Sequence, residues 1–211
     1  MDANNSQTTS CARRSASLPT LAVITFSLAL LCSGCLAPRS YVDPLFRRTS
    51  YANLKNIESP RRVTVGVEFQ LNGKREKQQE TIVRRKVIRV LGATRMFEEA
   101  ESDSAAPAGH LEVTVNNIGN LGSAYGQEFA TRMTLGLVSS HVIDGYEMTV
   151  VYSRPGGPPK TKKYKHAVHT IVGAQSKPKG MEPVPRADAF DQVVEEMLLC
   201  FLRDLQTEGL L

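Results

Sequence analysis

The chain has 211 residues, 41% hydrophobic and 22% charged, with 26 Lys+Arg against 21 Asp+Glu and a net charge of +5. That composition fits one globular domain and excludes wholesale disorder, and 15 Gly with 11 Pro lacking a three-residue period exclude a collagen-like fibre. So mild a positive charge does not by itself imply nucleic acid.

Residues 1–17 are polar and carry Arg13 and Arg14, and the following run Leu18–Leu31 has no charge. At about 14 residues this run has the length of a signal-peptide core and falls short of the roughly 20 that span a bilayer. It ends Leu31-Cys32-Ser33-Gly34-Cys35, with small side chains just before a cysteine. The ending resembles the lipobox of bacterial lipoproteins, with Cys32 standing where that pattern usually has leucine. The resemblance implies cleavage after Gly34, acylation of Cys35 with palmitate-type chains, and attachment to a membrane through that lipid. Leu36, rather than Asp, after the cysteine implies the outer membrane with the domain facing the periplasm. Two competing readings are an uncleaved anchor helix from Ala16 to Ala37 and a twin-arginine export signal at Arg13-Arg14, which the residues after it do not match well.

The expected organisation is a signal peptide (1–34), a lipidated N-terminus and tether (35–60) punctuated by Pro38, Pro44 and Pro60, and a single α+β domain (61–208). Cys11 and Cys32 leave with the signal peptide and Cys35 takes lipid. Cys200 is then alone and forms no internal disulfide. It sits in the apolar stretch Met197–Leu202, where a packing role outweighs a nucleophilic one.

Within the domain, Val63, Val65, Val67 and Phe69 alternate with polar residues, a strand signal, and Asn72-Gly73 turns the chain. Ile82, Val83, Val87, Val90 and Leu91 predict a helix over 75–91 with Gly92 as C-cap and Arg84, Arg85, Lys86 and Arg89 on its other face. Residues 93–99 read as a short edge strand and 100–109 as a loop. Leu111, Val113 and Val115 mark a second strand, and 117–126 is a Gly- and Asn-rich connector whose Tyr125-Gly126 tip is a weaker recognition candidate. For 127–140 (Phe129, Met133, Leu135, Leu137, Val138) periodicity leaves helix and strand open. Residues 145–153 and 160–171 read as a hairpin around Arg154–Pro159, and 174–188 as a flexible loop. A final helix, capped by Asp188 or a neighbour, runs to about Gln206, with Phe190, Val193, Val194, Met197, Leu198, Phe201, Leu202 and Leu205 on one stripe. The expected fold is α+β: an antiparallel-dominated sheet of about four to five strands with two main helices packed on one face. That order resembles small α+β envelope accessory lipoproteins and names no single family.

The sequence lacks the usual catalytic and nucleotide signatures: Gly122-Ser123-Ala-Tyr-Gly126 is misspaced for a nucleophile elbow, and no phosphate-binding glycine loop or His-Glu-x-x-His occurs. His166 and His169, three apart on a predicted strand, point to opposite faces, so neither metal nor cofactor is expected. The carboxylate pairs Glu98-Glu99 and Glu195-Glu196 read as solvated surface rather than acid/base machinery. Basic residues stand out more: Arg61 and Arg62, then Arg84, Arg85 and Arg89 on the helix, and Lys160, Lys162 and Lys163 on the hairpin. They read either as a solubilising surface or as a footprint for an anionic partner. The expected function is a lipid-anchored, periplasm-facing, non-enzymatic binding or accessory module for an envelope protein partner or complex. The alternative is direct binding of anionic lipid, lipopolysaccharide or polymer through the basic faces; a third reading is an envelope hydrolase. Nucleic acid is not an expected partner, since aromatics are not interleaved for base stacking.

Overall fold

The computed structural model describes residues 39–100, 107–118, 141–171 and 181–211. The signal peptide with Gly34 and Cys35, the connector 119–140 and the loop 172–180 lie outside the described residues.

Among the described residues, seven strands and two helices follow in the order β1 (Arg39–Val42), β2 (Arg61–Leu71), β3 (Lys74–Arg75), α1 (Lys77–Thr94), β4 (Phe97–Glu99), β5 (Gly109–Ile118), β6 (His141–Ser153), β7 (Lys160–Ile171) and α2 (Arg186–Thr207), with one 3-10 turn at Tyr51–Asn53. The sheet order is β1-β7-β6-β5-β2-β3, and β4 also pairs with β2. This corrects the expectation of four to five strands, while most of the pairings are antiparallel as expected. The sheet has seven strands and is mixed, because β2 runs parallel to both β4 and β5. The α+β class stands. The physical reason for the parallel pairs is the helix itself: α1 carries the chain back along the sheet, so the next strand enters in the same direction as β2.

Two further strands come from segments read differently in the sequence. Residues 39–42, within the stretch expected to be a tether, pair antiparallel with Val168–Ile171. Ser40 also forms an isolated bridge with Val184. The folded sheet therefore reaches beyond Arg61 toward the N-terminus. The second is β3: Asn72 (φ 51°) and Gly73 (φ 77°) make a two-residue hairpin, not a direct entry into the helix. Positive φ at both central positions is the signature of the twist-compatible hairpin turn, and it is why Asn-Gly stands there.

Both helices cover one face. Val63, Val65 and Phe69 of β2, Leu111, Val113 and Val115 of β5, and Met148, Val150 and Tyr152 of β6 meet Val83, Val87, Val90 and Leu91 of α1 and the stripe Val193–Leu205 of α2 in one core. Helix α1 continues through Gly92 to Thr94 and ends with Arg95 in the left-handed region (φ 55°), so Gly92 is not its cap. Lys86, expected on the wet face, is buried between the helices, its Nζ 3.2 Å from Asp191 and 3.5 Å from Glu195. Pro185 precedes the first turn of α2, and Asp188 lies inside that turn. The opposite face of β2, β5 and β6 is polar: Thr64 and His110 share a hydrogen bond of 2.7 Å, and Gln70 donates to Glu68.

Candidate functional site

The side chains with the most chemistry gather where residues 43–57 cross β7 and α2. Strand parity puts His166 on the helix-covered face and His169 on the other, as two residues three apart on a strand must lie. His166 is 2% exposed. Its Nδ1 accepts from the Ala167 amide at 2.9 Å, which leaves Nε2 to carry the proton and donate to Glu196 at 2.9 Å. Phe46 stacks on the imidazole with ring centroids 4.2 Å apart. Gln192 donates to the other oxygen of Glu196, and Arg48 stands 3.6 Å from it. Burial pushes the Glu196 carboxyl up, but the hydrogen bonds from His166 and Gln192, with the charge of Arg48, outweigh it and hold the group below its ordinary value of 4.5. Glu196 is therefore not a solvated surface acid, which corrects that part of the sequence reading. Glu195, beside it, is half-buried against Lys86, and Glu98 and Glu99 are exposed.

Asp43 is fully buried, and its Oδ1 accepts from the Leu45 amide at 2.9 Å. Its carboxyl too is held below the ordinary range: burial raises it, while the nearby His169 imidazole, with Nε2 4.0 Å from Oδ2, and the hydrogen bond from the Leu45 amide lower it more. Further along the same strap, Arg47 bonds Asp204 at 2.7 Å and Thr49 meets Cys200 at 3.3 Å. The Cys200 thiol donates to the Arg47 carbonyl at 2.9 Å. Asp204 also accepts from Tyr164, whose phenol is pushed far above its usual range by burial and by that carboxylate. Titratable groups on this side are thus bonded to one another and bury the strap; none of them lines the clefts described next.

A cleft of about 360 Å³ opens at the other end of the domain, between the last turns of α1 and the start of β2 and β4. Val63, Val65, Leu91 and Phe97 make its apolar floor, with Arg95, Glu98 and Glu99 on its rim. A second of about 390 Å³ lies beside the hairpin loop, between Tyr152, Arg154, Lys160 and Glu208. An apolar floor with a charged rim holds a ligand by burial and orients it by charge.

The basic residues named from the sequence are not one patch. Arg84 is ion-paired with Glu99 and donates to the Val65 carbonyl. Lys160 and Lys162 share Glu208 at 2.6 Å each. Arg61 has the parity of the covered face and is half-buried, while Arg62 and Lys163 have the parity of the open face and are exposed. Arg85 and Arg89, one turn apart, are exposed on α1, and Arg85 donates to the Thr81 carbonyl at 3.4 Å. Among the described residues no group of His, Cys, Asp and Glu is arranged to hold a metal, and no helix is long and apolar enough to cross a membrane.

Two solved structures illustrate what the chain is similar to. One is a neuraminyllactose-binding hemagglutinin homolog from Helicobacter pylori, 9% identical, with a TM-score of 0.40 over 72% of this chain and 90% of that one. The other is the rare lipoprotein B from Shewanella oneidensis, 12% identical, with a TM-score of 0.35 over 70% of this chain and 93% of that one. No family model and no curated protein sequence matches the chain.

Proposed function

We propose that this chain is a bacterial envelope lipoprotein, acylated at Cys35 and facing the periplasm from the outer membrane, whose domain binds a protein component of the envelope without catalysing a reaction. The observation that carries the reading is the N-terminal sequence: a basic start, an uncharged core and Ser33-Gly34-Cys35. Its non-enzymatic part is supported by how the reactive side chains are used. His166, Glu196, Asp43 and Cys200 are bonded to one another's surroundings inside the fold, away from either cleft. The cleft beside Phe97, with its charged rim, is the docking place we assign to the partner. The test has two arms in intact cells at native expression. An alkyne-tagged fatty acid labels the wild type and not Cys35→Ser, and cross-linking captures one envelope protein in stoichiometric amount. Equal labelling of both forms would sink the anchor, and a cross-link pattern of self and lipid alone would sink the partner.

A second reading, direct binding of an anionic lipid, lipopolysaccharide or polymer, is favoured by one observation. Arg85 and Arg89 project from the same exposed face of α1 without a carboxylate partner among the described residues. It requires binding that weakens steeply with salt and is lost in an Arg85→Glu, Arg89→Glu double variant.

A further inference from the structure

The two ends of the sheet differ in their distance from Cys35. Only Leu36, Ala37 and Pro38 separate that cysteine from the first residue of β1. Four residue steps reach at most about 14 Å even when fully extended. The strand they lead into is fixed at one corner of the sheet, where Arg39 registers with Ile171 and Ile171 with His141. Val142 and Ser40 flank Thr170 from either side in the next row. The start of α2 is at the same corner, since Val184 bridges Ser40 and Arg186 bonds Asp144 at 3.0 Å. From here β7 runs eleven residues to Lys160, roughly 36 Å away at the usual strand rise. Helix α2, 22 residues long, spans the same distance and delivers Glu208 to Lys160.

Resting on acylation at Cys35, we propose that the β1–β7–β6 corner sits directly on the lipid headgroups, so that the opposite end of the domain is held out toward the periplasm. The corner suits that surface. Arg39 is exposed, the Arg186 side chain is 71% exposed although it bonds Asp144, and Val142 is an apolar side chain left 49% exposed. Arg39 has the parity of one sheet face and Val142 that of the other, with Arg186 bonded to Asp144 on the latter. Cationic groups from both faces of the corner and an exposed valine thus match anionic headgroups at the edge of the acyl region. The assignment has a corollary for the basic residues. Arg61, Lys160 and Lys162 lie at the far end, beyond a Debye length from the anchoring bilayer, so whatever they meet is not that membrane. The cleft floored by Phe97 faces the same way, accessible to a partner.

The test uses the mature acylated protein, which begins at Cys35, in vesicles of phosphatidylcholine and phosphatidylglycerol carrying a headgroup quencher. Buried Cys200 leaves an introduced thiol to take the fluorophore, placed at Val142→Cys in one sample and at Pro155→Cys, in the hairpin loop, in the other. Intact mass first establishes whether Cys35 carries acyl chains. With acylated protein, several-fold stronger quenching at position 142 than at 155 is the expected result. Equal quenching, or stronger quenching at 155, would overturn the orientation while leaving the lipoprotein reading intact. An unacylated Cys35 in the mass spectrum would overturn both.

Discussion

Strand β7 alternates half-buried and exposed residues from Lys160 to Lys165, whereas every residue from His166 to Ile171 is buried. The lower half lies at an open flank, and Lys160, Lys162 and Lys165 reach carboxylates that water also reaches. The upper half is flanked by β1 and crossed by the strap that follows it, so His166 and Thr170 are cut off from solvent. They need partners from elsewhere in the chain: Glu196 for His166, and Ser40, 3.2 Å away, for Thr170. One strand thus carries two regimes. Polar side chains are cheap in one and specified by partners far away in sequence in the other.

The sharpest way to break that contrast is to remove one partner above. Glu196→Ala leaves His166 buried without its acceptor and is expected to cost about 3 kcal/mol in urea unfolding, as for other buried pairs broken on one side. A loss as small as that of a surface variant would abolish the distinction. The second concerns backbone rather than side chain. A Cβ at Gly109 would stand 2.7 Å from the Ser153 carbonyl oxygen and 3.0 Å from the Tyr152 ring. Gly109→Ala, although at the open end, should therefore lower stability by about 2 kcal/mol. An unchanged melting temperature would show that β5 and β6 separate freely there.

Acid gives a milder probe. Folding lowers the Glu196 and Asp43 carboxyls below 4.5 and 3.8. Their stabilisation is therefore complete above those values and is lost as pH falls through the lowered, folded ones. The wild type should lose stability more steeply than Glu196→Gln between about pH 5 and about pH 3, and parallel curves would contradict the geometry. The smallest effect belongs to the lower half. Lys162→Ala removes one arm of an exposed pair with Glu208, and a cost within about 0.5 kcal/mol is expected. A larger one would mean that the lysine holds the end of α2 in place.

The elements with a clean period were legible in the sequence: β2 from its alternating valines, α2 from its apolar stripe, the hairpin from its proline-glycine loop. What was not legible shares one property, a long separation between partners. Arg39–Val42 is four residues whose pairing with Val168–Ile171 spans some 130 positions, and nothing local marks it as a strand. Likewise, Glu195-Glu196 reads as a surface pair because their different roles depend on which faces Lys86 and His166. The direction of β5 depends on the crossover that α1 makes, and the alternating pattern of β5 is the same for parallel and antiparallel pairing. Of the candidate site, the basic residues could be named but not sorted. Arg84 and Lys162 look alike in sequence to Arg85 and Lys163, and only the fold gives the first two their carboxylates.

The shortness of β1 has a last consequence. It pairs with β7 only from Val168 to Ile171, so among the described residues the rest of that border, from Lys160 upward, offers its amides and carbonyls to no neighbouring strand. A bare border is a template on which a second copy can add itself, ending in aggregation. Lys160, Lys162, Lys163 and Lys165 fall on just this stretch, where charge repels an incoming identical strand. The lysine run that reads as a ligand footprint thus also stands where charge disfavours pairing with an identical strand.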